Sequence, residues 1–273
     1  MKGERVTIEE LKHLKKVELD ILLMFDQYCN KYSLQYYLIG GALLGAARYG
    51  GFIPWDDDID VAMPREDYEK LKQIWRNDGK DGYFLQHEGS DPNFARCIMK
   101  LRKNDTEIIE KTTAGIHMHH GIYIDIFPID YVSDNCEKKL ARRAKSIRHL
   151  MTLCAIKSGY KGNYQGLKKI IRGCIFWWSK AAIEKRIYNL CVKENQGTRA
   201  YSILYLHNYS WEKQIHKSEV FGMGVKCMFE GGEFFAPTDT DAFLNKVFGI
   251  DYMQDPPEEK RRNPHKYLSV RFE

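Results

Sequence analysis

An α/β (α+β) fold, with a mixed β-sheet core flanked by helices and a helical, basic second half, is what the sequence predicts. Short apolar runs such as YYLIG, DIDVAMP and GIYIDIFPID read as strands, amphipathic stretches of helical period lie before and between them, and Lys and Arg concentrate in the middle. The 273 residues suffice to bury a sizeable core. With 44% hydrophobic and 29% charged residues, the composition is that of a globular chain rather than a disordered or fibrous one.

The elements follow in order. Thr7 to about Tyr32 carries Ile8, Leu11, Leu14, Val17, Ile21, Leu22 and Phe25 at helical spacing, and Thr7 with Glu10 forms a capping box. This charged start has neither the uninterrupted apolar core nor the cleavage site of a signal peptide. Next come the strand YYLIG, the small-residue helix GALLGAARYG, a GGFIP turn and the strand DIDVAMP, which Pro64 closes. Arg65 to Trp75 reads as a helix, and YFLQ, ARCIMKLRK, TEIIEK and GIYIDIFPID read as further strands, with Asp130 as a turn or cap residue. Asn135 to Lys193 reads as helical except for a glycine-rich break from Gly159 to Gly166. The tail from Met228 mixes short strands, a helix at Thr240 to Val247 and Pro-rich coil. Three regions result: a catalytic core at 1–134, a helical basic region at 135–227, and a C-terminal segment at 228–273 that folds back on the core.

The net charge of +5 conceals its distribution. From Ala141 to Lys193 there are thirteen Lys and Arg against one acid, Glu184, and the rest of the chain is net negative. Tyr160, Tyr164, Phe176, Trp177 and Trp178 interleave with these bases. Two readings stand: apolar residues facing the protein's own core with lysines solvating the other side, which leads, and a helix resting on an anionic membrane. No helix-turn-helix, zinc-finger or RNP-like pattern accompanies the charge, so nucleic acid is not an expected partner. Cys29, Cys97, Cys136, Cys154, Cys174, Cys191 and Cys227 show no C-x-x-C pair and are odd in number, which fits reduced thiols and a cytoplasmic location.

The chemistry concentrates in IGGALLGAARYGGFIPWDDDIDVAMP. Gly40 and Gly41 end a strand and open a helix, where bare backbone amides and the helix dipole suit phosphate. Asp58 and Asp60 flank Ile59, and strand alternation puts both carboxylates on one face. Two acids there invite a hard divalent cation, Mg2+ or Mn2+, that shares its shell with substrate phosphates. An EF-hand fits badly, because counting from Asp56 the sixth position is Val61 and the twelfth Asp67. Asp125, flanked by Ile124 and Ile126, is the expected third carboxylate. Lys100 and Arg102 share a strand face and, like Arg48, read either as phosphate contacts or as ordinary structural bases. His117, His119 and His120 have no partners at zinc-ligand spacing and read as solvated loop histidines.

At these residues the sequence resembles the LicD family of phosphotransferases, related to the fukutin proteins and built on a nucleotidyltransferase fold. The stretch YYLIGGALLGAARYGGFIPWDDDIDVAMPREDYEKL carries the resemblance, with GIYIDIFPID and FGIDYMQDPPEEKR as further blocks. The resemblance implies a divalent metal at Asp58, Asp60 and Asp125, phosphate contact at Gly40 and Gly41, and transfer of phosphocholine from CDP-choline to a cell-surface glycan precursor of teichoic acid or lipopolysaccharide type. The acceptor would be lipid-linked or free, and the site would face the cytoplasm at the plasma membrane. Asp56 and Asp57 match the family's acidic run and would orient waters or the acceptor. By the same resemblance Tyr252, Pro256, Pro257, Arg261 and His265 would lie near donor or acceptor, while the residues by themselves read equally as a packed C-terminal coil. A nucleotidyltransferase or an alditol-phosphate transferase with another nucleotide-linked donor stays open as an alternative, and a catalytically inactive glycan- or membrane-binding protein is a remote one. For a choline headgroup an aromatic cage is expected, and Tyr36, Tyr37, Tyr49, Phe52, Trp55 and Tyr123 are candidates, with Trp55 equally suited to anchor the acidic turn.

Overall fold

The computed structural model describes residues 6–133, 137–162, 177–205, 210–263 and 265–272. Cys136, Cys174, Tyr164, Phe176 and the end of the glycine-rich break lie outside them. The five described cysteines are free thiols.

Helix α1 (Ile8–Tyr32) begins at the capping box: the Glu10 amide donates to Thr7 Oγ1 and the Thr7 amide donates to Glu10 Oε2. Its apolar stripe, Leu14, Val17, Ile21, Leu22 and Phe25, is buried against a seven-stranded mixed sheet. The strands are β1 (Tyr37–Ile39), β2 (Asp60–Pro64), β3 (Tyr83–Gln86), β4 (Met99–Lys103), β6 (Tyr123–Val132), β7 (Tyr201–Ile203) and β8 (Ile215–Lys217), while β5 (Glu107–Glu110) lies outside this sheet. The central order is β1-β2-β6-β4-β3, and β7 pairs with the far end of β6 and with β8. Among the described residues only β2 and β6 run parallel. Between them lies α3 (Arg65–Asp78), whereas α2 (Gly40–Tyr49) joins β1 to β2. ARCIMKLRK is strand only in its second half, from Met99.

The basic region yields α4 (Glu137–Lys157) and α5 (Lys180–Cys191), which bury Ile147, Cys154, Ile183, Ile187 and Cys191 against each other and against Ala95 and Tyr160. Their outer faces expose Lys138, Arg142, Lys145, Lys185 and Arg186. Tyr160 is buried, whereas Trp177 and Trp178 are exposed. Strands β7 and β8 also fall inside residues 135–227. Beyond them, β9 (Val225–Phe229) and β10 (Gly232–Ala236) form a hairpin, α6 (Thr240–Phe248) follows, and β11 (Tyr267–Arg271) pairs antiparallel with β5. Among the described residues no helix is long and apolar enough to cross a membrane.

Asp130 departs from its expected role as a turn or cap residue. It sits within β6, fully buried, and accepts from Arg65 Nε at 2.9 Å, Arg65 Nη2 at 2.7 Å and Asn195 Nδ2 at 2.8 Å. The pair locks α3 to β6, and Pro128 did not end the strand because β6 continues onto β7. Removing one partner of a buried, bidentate pair strands the other, so Arg65→Ala should lower unfolding free energy by about 3–5 kcal/mol in urea titration. A loss of about 1 kcal/mol or less would make the pair equivalent to a surface contact.

Candidate metal centre

Strand register assembles the centre. Asp60 opens β2 opposite Ile39 on one side and opposite Asp125 on the other, and Asp125 in turn faces Lys100 of β4. Four adjacent strands therefore present the end of β1, Asp60, Asp125 and Lys100 in one row. Ile59 and Val61 alternate into the core with no exposed surface.

The acidic turn before β2 completes the cluster. One carboxylate oxygen from each of Asp56, Asp57 and Asp58 lies within 4.8 Å of the others, the one such multi-acid group among the described residues. Gly40 and Gly41 make room for it. A Cβ on Gly40 would lie 2.8 Å from Asp60 Oδ2, and one on Gly41 2.5 Å from Asp56 Oδ2, so any side chain would collide with a carboxylate. Gly40 also has φ +57°, in the left-handed region. Helix α2 starts here with no side-chain cap, so the positive end of its dipole faces the acids. The expected phosphate-contact glycines thus have carboxylates as immediate neighbours.

Burial and mutual repulsion dominate the electrostatics. Burial, then the charge of Asp56, pushes Asp58 up to about 8. Burial followed by Asp58 and Asp125 raises Asp60 well above the carboxylate range, and burial with Asp57 raises Asp56. These oxygens are hard donors carrying more negative charge than their surroundings neutralise, and a divalent cation suits that set.

Asp57 is held differently. It is buried, with Oδ2 accepting from Asn263 Nδ2 at 2.7 Å and Oδ1 2.6 Å from His265 Nδ1, while the His265 amide donates to Asn263 Oδ1 at 2.7 Å. Burial pulls the His265 imidazole pKa down, but the bond to Asp57 and the charges of Asp58, Asp57 and Asp56 overcome this and raise it to about 9. The C-terminal segment is thus tied to the acidic turn by a charged imidazole.

The remaining expected residues divide. Lys100 Nζ is 2.7 Å from Asp125 Oδ1 and 3.2 Å from the centre of the Tyr123 ring. Burial lowers its pKa, and Asp125 partly restores it. Arg102 is buried behind the row, donating to Gln86 Oε1 and the Gly121 carbonyl. Arg48 donates to the Tyr252 carbonyl and lies 3.9 Å from Asp255, so it holds the closing segment. Trp55 is half-buried, edge-on to Tyr49, with the Arg261 guanidinium 5.8 Å from its ring. Tyr36, Tyr37 and Phe52 belong to the core. His117 is exposed as expected, whereas His119 and His120 are half-buried: His119 stacks on Phe84 and contacts Asn104 at 3.0 Å, and His120 contacts the Ile116 carbonyl at 3.0 Å.

Two residues at the centre were not expected. Glu18 of α1 is 3% exposed, on the part of the helix that Lys15 ties to the Ile53 and Pro54 carbonyls just before the acidic turn. An acid on the apolar stripe of a helix was the legible signal. Asn263 lies in Pro-rich coil and gave none.

In metal-free protein, Asp58 keeps a proton that the unfolded chain gives up above its ordinary value of 3.8. Stability should therefore fall as pH rises from about 4 to about 8. Asp58→Asn should flatten that fall in urea titrations with EDTA, and an unchanged pH slope would remove Asp58 as its source.

Residues 33–149 match the family described as LicD/FKTN/FKRP, nucleotidyltransferase domain. The chain is 28% identical over 259 residues to the lipopolysaccharide cholinephosphotransferase LicD of Haemophilus influenzae, covering 93% of this chain and 96% of that protein. It is 49% identical over 42 residues to the ribitol 5-phosphate transferase FKRP of Homo sapiens, covering 15% of this chain and 8% of that protein.

Proposed function

We propose, from the match of residues 33–149 to the LicD/FKTN/FKRP nucleotidyltransferase domain, that the protein is a metal-dependent phosphotransferase that moves phosphocholine from CDP-choline to a sugar hydroxyl of a cell-surface glycan precursor, releasing CMP. The observation that carries this reading is the row of Asp60, Asp125 and Lys100 beside the Asp56–Asp58 turn, set against the uncapped start of α2. The near full-length similarity to a cholinephosphotransferase supports the transferred group.

Asp56, Asp58, Asp60 and Asp125 would hold Mg2+ or Mn2+, which when bound supplies neutralising charge on the phosphoryl oxygens and makes the attacking hydroxyl more acidic. Gly40 and Gly41 bring backbone amides to the donor phosphates without a side chain between. Lys100 offers a positive charge beside Asp125. Asp125 Oδ1 faces Lys100, leaving Oδ2 to accept the proton of the acceptor hydroxyl. A new bond forms from that oxygen to the choline-bearing phosphorus, and the bond from the same phosphorus to the CMP oxygen breaks. The exposed Tyr49 with Trp55 is the aromatic pair best placed for the quaternary ammonium. Transfer of an alditol phosphate is the second reading, favoured by the match to the ribitol 5-phosphate transferase.

Purified protein incubated with CDP-choline and Mg2+ should release CMP, followed by chromatography. EDTA should stop the release, and Asp58→Ala should lower it by about two orders of magnitude or more, the loss typical when a preorganised charge-stabilising group is removed. Activity retained in that variant would sink the assignment, and pyrophosphate release from a nucleoside triphosphate would mark a nucleotidyltransferase.

The basic outer face of α4 and α5, with exposed Trp177 and Trp178, fits peripheral contact with the anionic inner face of the plasma membrane, where a lipid-linked acceptor would be presented. The protein should sediment with phosphatidylglycerol vesicles but not phosphatidylcholine vesicles, and Trp177→Ser with Trp178→Ser should weaken this severalfold. Equal sedimentation with both lipids would exclude an anionic docking face.

A further inference from the structure

Helix α1 carries a carboxylate where its stripe should be apolar. Glu18 follows Leu14 by one turn and precedes Ile21 and Leu22, all fully buried, and is itself 3% exposed. Its Oε2 is buried and makes no hydrogen bond among the described residues. A charged or polar oxygen left so is costly, and a helix could avoid the cost with any apolar residue. The nearest cation on the helix, Lys15, is already committed: its Nζ donates to the carbonyls of Ile53 at 2.8 Å and Pro54 at 3.1 Å, immediately before the acidic turn. That anchoring brings this part of α1 up to Asp56–Asp58. Burial raises the pKa of Glu18 first, and the next largest influences are the charges of Asp58, Asp57 and Asp56. An unpartnered, deeply buried carboxylate oxygen on the part of a helix anchored at an acidic turn is what a cation-binding wall presents.

We propose that Glu18 supplies a further oxygen to the divalent-cation site of the acidic turn, so that helix α1, which lies before the matched domain at 33–149, contributes to the metal centre. This rests on the metal-dependent reading above. It also accounts for an acid in the α1 stripe: with the cation bound, Oε2 has its partner.

The test is Mn2+ affinity of the full chain, followed by thermal shift and by electron paramagnetic resonance of free Mn2+, neither of which needs turnover. Glu18→Gln keeps the size and mimics a merely protonated, hydrogen-bonding acid. It should weaken Mn2+ binding about tenfold or more, since disturbing even outer-shell partners of a metal commonly costs 10–100-fold. Glu18→Asp, charged but shorter, should fall between it and the parent, and serves alone if the glutamine variant does not fold. Asp20→Asn, at a half-exposed acid on the same helix, should leave affinity unchanged. Parent-like affinity in Glu18→Gln, or in Glu18→Asp when that variant stands alone, overturns the proposal, as does an equal loss in Asp20→Asn. A parent protein that binds no Mn2+ overturns the metal reading itself, a separate result.

Discussion

The repulsion among carboxylates packed at the start of β2 is the constraint around which the rest of the molecule is arranged. Asp56, Asp58 and Asp60 stand in one short stretch, and Asp125 joins them from the parallel neighbour β6. Such a cluster is stable only if the surrounding chain gives the acids space, fixes those that must not move and supplies opposite charge nearby. Each requirement is met by a different element. The glycine pair gives up its side chains to the carboxylates, β4 sets Lys100 opposite Asp125, and the C-terminal segment clamps Asp57 through Asn263 and His265.

That last contact explains the course of the chain. Some two hundred residues separate Asp57 from its partners, and the intervening polypeptide is brought back by contacts that all end near the acidic turn. Arg48 takes the Tyr252 carbonyl, the Glu230 side chain accepts from the Phe52 amide at 2.9 Å, and β11 pairs with β5. The acids differ accordingly. Asp57 has donors for both oxygens and serves as a fixed post, whereas Asp56, Asp58 and Asp60 keep raised pKa values because burial and like charge are left uncompensated. Unrelieved electrostatic cost of this kind is characteristic of binding sites.

The buried charges elsewhere make the contrast. Arg65 and Asp130 pair bidentately between α3 and β6, and Arg102 is held by Gln86 and a backbone carbonyl. These groups are committed to structural partners. Lys100, two residues from Arg102 on the same strand face, stands in the row itself beside Asp125, so the same alternation that unites the two bases in sequence leaves one structural and one at the site.

Local chemistry was legible in the residues themselves. The capping box at Thr7 and Glu10, the alternation of Asp58 and Asp60 about Ile59, the mixed sheet and the isolated acid in GIYIDIFPID depend on short-range periodicity, which backbone geometry imposes on any such sequence. Glu18 was legible only as an anomaly in a helical stripe, and Asp130 was misread because pairing beyond Pro128 depends on β7, some seventy residues away. What the sequence determined was the elements that frame the site and the presence of an acidic, glycine-bounded turn, whereas β7 and β8 went unsignalled. Tertiary structure alone decided which acids are clamped and which are left without compensating partners, because that depends on Asn263, His265, Lys100 and α1 arriving from distant parts of the chain, and desolvation and Coulomb interaction act through space rather than along it.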